Sequence, residues 1–148
     1  MVHRRSGDVV GLLDTEDGAR AEWTFAAAPD AVRTARHVVR DTLRDWSLPV
    51  AVAETAVLLV SELVTNSLRY ASGPIGVRLA AGGPVVAGRP ALLVEVSDPL
   101  PDPPVERPAG PDDEGGRGLG LVAGSARRWG TRRGKTGKTV WFELPLSG

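Results

Sequence analysis

Apolar residues recur along this chain with two different spacings, which predict helices in some segments and strands in others. In residues 31–45 apolar side chains recur every three or four positions and arginines occupy the opposite side, as in an amphipathic helix. Residues 53–71 (AETAVLLVSELVTNSLRYA) keep the helical period with a wider apolar stripe, which predicts a longer helix covered over much of its circumference. Ser72-Gly73-Pro74 ends that helix.

Shorter alternating segments predict strands before and after the two helices. The predicted strands are residues 22–26, 75–80 and 91–97, followed by a closing hairpin of residues 129–133 and 138–144. A third helix is predicted at residues 119–128, directly after a glycine-rich loop. Helices grouped against consecutive strands favour an α/β (α+β) two-layer sandwich, with a mixed, mostly antiparallel sheet covered on one face by helices.

Two segments lack a sustained period. Residues 1–20 predict a loose N-terminal arm, or at most an edge strand, so the domain is expected to span residues 21–148. Residues 99–116 contain six prolines and an acidic cluster, a composition typical of a lid, a binding loop or disorder.

Length and composition narrow the class of protein. At 148 residues the chain is long enough for one domain with a sizeable core. Its net charge is zero, so direct binding to nucleic acid is not expected. The absence of cysteine excludes disulfides and thiolate metal sites. No apolar stretch is expected to span a membrane, and no signal peptide is recognisable, which predicts a cytoplasmic protein.

The longest predicted helix carries an acid and an amide, Glu62 and Asn66, four residues apart. Their spacing puts both side chains on one face, roughly 6 Å apart. The simpler interpretation is a solvated pair, with Glu62 in a charge pair with Arg69 or another neighbour. The alternative is a site in which a bound metal–phosphate group supplies the partner that buried polar groups require.

Glycines at 115, 116, 118 and 120 precede the third predicted helix. Such a segment can cradle phosphate with its backbone N–H groups, although glycine loops often serve only as hinges. A dinucleotide fingerprint is excluded because Ala123 stands where the third glycine belongs. A P-loop is excluded because Trp129 and Arg132 stand where the first glycine of each GKT triplet is required.

Four motifs occur in a diagnostic order, namely SELVTNSLRYA, VSD, GGRGLGLV and GKTVWFEL. Together they resemble the N box, the G1 aspartate, the G2 segment and the closing strand of the GHKL (histidine-kinase-like) ATPase family. The resemblance covers about residues 23–145. Within that family the chain is most similar to the stand-alone bacterial anti-sigma-factor serine/threonine kinases.

The resemblance implies a role for each matching residue. Asn66 would hold the Mg²⁺ that bridges the phosphates of ATP, and Glu62 would be the catalytic base. Asp98 would accept a hydrogen bond from the adenine amino group. The other ATP-binding residues implied by the motifs are Arg69, Gly116, Arg117, Gly118, Leu119, Gly120, Leu121 and Thr139.

One motif departs from the family pattern. The G1 box usually continues as Asp-x-Gly-x-Gly, but here Asp98 is followed by Pro99-Leu100-Pro101-Asp102. Proline lacks an N–H and the left-handed conformations of glycine, so the loop on the adenine side must have a different shape.

The resemblance implies a Mg-ATP-dependent protein kinase that phosphorylates an anti-sigma antagonist and regulates a sigma factor. Its partners would be that antagonist, the sigma factor or both, and a homodimer is possible. Two alternatives stay open: a non-catalytic nucleotide-binding interaction module, and an orphan GHKL ATPase unconnected with sigma factors.

Overall fold

The computed structural model describes residues 12–14, 18–70, 73–82, 90–99, 114–134 and 137–146. These residues form six strands and three helices. In chain order the elements are β1 (Leu12–Asp14), β2 (Gly18–Phe25), α1 (Ala31–Asp45), α2 (Val50–Tyr70), β3 (Ile75–Ala81), β4 (Ala91–Asp98), α3 (Glu114–Ser125), β5 (Arg128–Gly134) and β6 (Gly137–Pro145).

The strands form one sheet in the order β1-β2-β3-β4-β6-β5, and every pairing among the described strands is antiparallel. The predicted two-layer α+β fold is therefore confirmed, with a sheet that is antiparallel rather than mixed in the described part. In the register of β4 with β6, Val96 lies opposite Val140 and Asp98 lies opposite Lys138. The carboxyl end of β4 and the start of β6 thus meet at one edge of the sheet.

One face of the sheet packs on the helices and holds the core. Alternate residues of β2, β4 and β6 are buried on this face, as the period of two in a strand requires. The helices contribute the stripes predicted from their spacing: Ala31, Ala35, Val39 and Leu43 from α1, and Ala56, Val57, Leu59, Val60, Leu63 and Val64 from α2. The helix α2 contacts α1, α3 and strands β3, β4 and β6, so it is the central element of the helical layer.

The opposite face of the sheet carries charged side chains arranged across the strands. Arg78 lies between Glu22 and Glu95, at 3.7 Å and 3.2 Å from their carboxylate oxygens, and Arg132 donates to Glu95 at 2.8 Å. These alternating charges reduce the repulsion between neighbouring strands, because opposite charges on paired strands attract.

The start of the third helix differs from its prediction. It begins at Glu114, five residues before the predicted residue 119, and it ends at Ser125 rather than 128. The predicted glycine loop is therefore helical in backbone conformation. Glycine has a low helix propensity, but in a helix it is less favourable than alanine by only about 1 kcal/mol per residue. Packing readily overrides a difference of that size. Val122, which is fully buried, anchors the helix in the core.

The N-terminal segment contributes to the edge of the sheet. Strand β1 pairs with β2, and β2 itself begins at Gly18, so the edge-strand alternative of the sequence analysis applies to residues 12–14. The boundary between arm and domain at residue 20 stays a prediction. Most of the proline-rich segment, residues 100–113, lies outside the described residues.

The helix α2 is long and apolar enough to cross a membrane, judged by length and composition alone over Val50–Arg69. This corrects the expectation that no apolar stretch reaches that length. The core helix of a globular domain passes the same test, and one such helix is weak evidence for a span. Because one stripe of its apolar side chains, from Ala56 to Val64, is buried in the core cluster, we assign α2 to the core of the domain.

Candidate functional site

Asp98 is the last residue of β4, and its carboxylate is buried on the helical side of the sheet. It continues the alternation that buries Leu92, Val94 and Val96, and its side chain is 3% exposed. Ser67 of α2 donates its hydroxyl hydrogen to Asp98 Oδ2 at 2.9 Å. This bond links the central helix to the end of the central strand and fixes the orientation of the carboxylate.

The second carboxylate oxygen of Asp98, Oδ1, is buried and has no hydrogen-bond partner among the residues that the structure describes. A buried polar atom without a partner is unfavourable by about 1–3 kcal/mol, and such atoms are uncommon in native proteins. Because an ionised carboxylate only accepts hydrogen bonds, the group that would satisfy Oδ1 must be an N–H or O–H donor. The geometry therefore favours a ligand that brings a donor to this position.

Lys138 lies directly across from Asp98 in the antiparallel register, and its Nζ is 3.9 Å from Asp98 Oδ2. The residue before Lys138 is Gly137, which allows β6 to lie close to β4. A Cβ built on Gly137 would collide with the backbone carbonyl oxygen of Asp98, so only glycine allows this approach of β6 to β4. The ammonium of Lys138 thus lies beside the buried carboxylate.

Thr139 shares its face of the sheet with Ser97, on the side away from Asp98. The two hydroxyl oxygens are 2.7 Å apart and form one hydrogen bond. Since successive residues of a strand point to opposite faces, Thr139 and Lys138 project to different sides of the sheet. Asp98, Lys138 and Thr139 are nevertheless all among the residues that line a cavity of about 550 Å³ at this edge.

Glu62 and Asn66 lie one turn apart on α2, and both side chains are half-buried. Within the part of the chain that the structure describes, neither makes a hydrogen bond or an ion pair. The charge pair of Glu62 with Arg69 that the simpler interpretation offered is therefore not formed. Arg69 is exposed in the last turn of α2 and interacts elsewhere.

A magnesium ion at Asn66 would have to take most of its ligands from phosphate oxygens and water. Among the described residues, no group of three or more His, Cys, Asp or Glu side chains is placed to hold a metal. Mg²⁺ commonly binds proteins through one or two side chains and completes its octahedron with substrate phosphates and water. The single amide of Asn66 is compatible with that kind of site.

The glycine segment forms the first turns of α3. Four N–H groups at the start of any helix have no partner within it, and these include those of Gly115 and Gly116. The N–H groups of Gly118 and Gly120 lie beyond this turn and are expected to bond within the helix. Gly120 and Leu121 are exposed, while the side-chain surroundings of Arg117 and Leu119 lie outside the described residues.

Pro99, which occupies the variable position directly after Asp98 in the family pattern, has a definite contact. A Cβ built on Gly73, just beyond α2, would collide with Cγ of Pro99. Pro99 therefore lies against the backbone that leaves α2.

Sequence reasoning did not assign a role to Ser67 or Lys138. Ser67 directly follows Asn66, and the position about 100° further round the helix points to the sheet. Lys138 belongs to the motif GKTVWFEL, but only the pairing of β6 with β4 shows that it faces Asp98.

Comparisons with known proteins agree with this fold. The model of a family described as the histidine kinase-like ATPase domain matches residues 25–144. Among solved structures, the RsbU and RsbW domains of Rv1364c from Mycobacterium tuberculosis match with a TM-score of 0.65 and 20% identity. That match covers 86% of this chain and 32% of the other, so this chain spans about a third of that structure's length. No curated protein sequence matches the chain.

Proposed function

This chain belongs to the histidine kinase-like ATPase domain family, and we propose that it binds Mg-ATP and phosphorylates a serine or threonine of a small partner protein. The observation that best supports nucleotide binding is that Asp98 Oδ1 is buried and has no partner among the described residues. The amino group of adenine is a donor of the kind this oxygen requires. The protein-kinase activity rests on the motif resemblance to anti-sigma-factor kinases.

In this function the Asp98 carboxylate acts as a rigid acceptor for the base. Asp98 Oδ1 would accept from the adenine amino group, while Ser67 holds Oδ2 and keeps the carboxylate in place. A carboxylate whose rotamer is already fixed loses little further freedom on binding, which favours affinity.

At the phosphate end, Asn66 would coordinate Mg²⁺ through its amide oxygen. The bound ion would neutralise charge on the phosphates of ATP. Glu62, one turn earlier on the same helix, would accept the proton of the attacking hydroxyl as its oxygen bonds to the γ-phosphorus. The bond from that phosphorus to the β–γ bridging oxygen breaks, and ADP leaves with the electron pair.

Calorimetry and phosphoryl transfer on the same variants test these roles. Asp98→Asn is expected to weaken Mg-ATP binding about tenfold or more, the size of one lost hydrogen bond to a charged group. Asn66→Ala is expected to weaken binding in Mg²⁺ but not in EDTA. Glu62→Gln is expected to keep affinity and to lower transfer of γ-labelled phosphate to a candidate antagonist protein by about 10²–10⁴-fold.

The control for Glu62 is Glu54→Gln, on an exposed position of the same helix, which should leave transfer unchanged. If phosphoryl transfer persists in Glu62→Gln, Glu62 is not the catalytic base. If neither Asp98→Asn nor Asn66→Ala weakens binding, the site itself is misassigned.

A non-catalytic interaction module is the second candidate, and the contact of Pro99 with Gly73 favours it. Because its ring fixes φ, Pro99 gives the chain directly after β4 less freedom to rearrange during a catalytic cycle. Mg-ATP binding without phosphoryl transfer to any candidate antagonist would support this function. The antagonist or sigma-factor partner and the homodimer remain predictions from the resemblance. The cytoplasmic location remains a prediction from the sequence.

A further inference from the structure

We propose that Lys138, not Thr139, is the second residue that recognises the base, by donating a hydrogen bond to ring nitrogen N1 of adenine. This inference rests on the proposed function, since it concerns the same pocket. It assigns recognition of the base to two neighbouring side chains of opposite charge. Asp98 accepts from the amino group, and Lys138 donates to the ring nitrogen beside it.

The ammonium of Lys138 has donors to spare. Its distance of 3.9 Å from Asp98 Oδ2 allows electrostatic attraction but is too long for a hydrogen bond. The structure shows no other polar contact of this side chain within the described residues. A lysine ammonium carries three N–H groups, and the Lys138 side chain as a whole is 24% exposed. A ligand acceptor would therefore satisfy donors that the protein leaves unused.

Thr139 is poorly placed for the same task. Its hydroxyl is engaged with Ser97 at 2.7 Å, on the opposite side of the sheet from the Asp98 carboxylate. To reach a base held by Asp98, it would have to give up that bond. Lys138 faces Asp98 without any such rearrangement, because the two residues are directly paired in the ladder.

Asp98 and Lys138 offer an acceptor and a donor that complement the groups on one edge of adenine. Asp98 Oδ1 is only an acceptor and Lys138 is only a donor. On adenine the amino group is a donor and the adjacent N1 is an acceptor, so the pair would read both groups at once. Gly137 lets the start of β6 lie against the carbonyl of Asp98, which keeps the backbones that carry the two side chains close together.

The test compares ATP with 1-deaza-ATP, in which a C–H replaces N1 of the base. Calorimetric titrations are run on the wild type, on Lys138→Met and on Thr139→Val, in Mg²⁺. We expect the wild type to bind 1-deaza-ATP about tenfold more weakly than ATP, as for the loss of one charge-assisted hydrogen bond. Lys138→Met should bind the two nucleotides equally, and Thr139→Val should keep the difference shown by the wild type.

The comparison separates a direct contact from an indirect effect. If Lys138 acted only by steadying Asp98, Lys138→Met would weaken both nucleotides equally and retain the tenfold difference, which would overturn the inference. Equal binding of ATP and 1-deaza-ATP by the wild type would overturn it as well. ATP binding that depends on Asp98 but not on Lys138 defeats this inference alone, whereas binding that is indifferent to Asp98 defeats the proposed function. Thermal unfolding of each variant confirms that it is folded.

Discussion

At the scale of single residues, the candidate site is organised around one buried carboxylate. Asp98 Oδ2 accepts a hydrogen bond from Ser67, whereas Oδ1 has no partner among the described residues. This asymmetry matters because a fully satisfied carboxylate would have no remaining affinity for a donor, and a fully unsatisfied one would be too unfavourable to bury. Ser67 therefore makes it possible to bury Asp98 in a form that can still bind.

The role of Ser67 predicts the effect of removing its hydroxyl. Ser67→Ala leaves Asp98 Oδ2 without a hydrogen bond, so the free energy of unfolding should fall by about 1–3 kcal/mol. Urea denaturation measures this loss. Ser61→Ala is the matched control, since Ser61 is half-buried on the same helix and its hydroxyl bonds to no described residue; its effect should stay within about 0.5 kcal/mol. Equal losses in the two variants would show that the bond to Asp98 adds no stability.

At the scale of elements, the approach of two strand ends places the site. Strand β6 starts against the carbonyl oxygen of the last residue of β4, and the absence of a side chain at Gly137 allows this. The central helix then meets the same edge through Ser67. Three elements distant in sequence, α2, β4 and β6, thus converge on one carboxylate.

Adding a single methyl group should disturb this convergence. Gly137→Ala would drive a Cβ into the Asp98 carbonyl, and overpacking of this kind typically destabilises by about 1–3 kcal/mol. The measurement is again the free energy of unfolding, together with Mg-ATP affinity, which should fall as the strand ends separate. The control, Gly134→Ala, changes the residue paired with Gly137 across the hairpin, where a Cβ meets nothing within 4 Å. A stable Gly137→Ala variant with unchanged affinity would contradict the close approach.

At the scale of the whole molecule, a two-layer fold holds the residues proposed to bind the base and the phosphates in one frame. Asp98 belongs to the sheet, while Glu62 and Asn66 belong to the helix that packs across it. A ligand that contacts both layers should stabilise the fold as a unit, because it binds the folded chain and not the unfolded one.

Thermal unfolding of the full chain should therefore respond to nucleotide and metal together. At a Mg-ATP concentration of about 100 times its Kd, the gain is about 2.7 kcal/mol, or roughly 5–10 °C in Tm for a domain of this size. Removing Mg²⁺ with EDTA should reduce the shift, and Asp98→Asn should reduce it further. A shift of equal size with and without EDTA would show that the metal takes no part in binding.

The local periodicity of the sequence determined the helices, the strands and the relation of Glu62 to Asn66. In each case the physical basis is short-range, because 3.6 residues per helical turn and two per strand repeat fix which neighbouring side chains share a face. The bounds of α1 agree with its prediction, and α2 contains nearly all of its predicted range. The order of the four motifs likewise sufficed to identify the family that the comparison confirmed.

Only the tertiary structure decided which side chains meet at the site. The bond from Ser67 to Asp98 spans 31 positions of the chain, and no local period encodes it. The register of β6 against β4 puts Lys138, and not Thr139, on the side of Asp98; a shift of one residue would reverse their faces. The start of α3 at Glu114 also depended on packing, since the propensity of its glycines alone favours a loop.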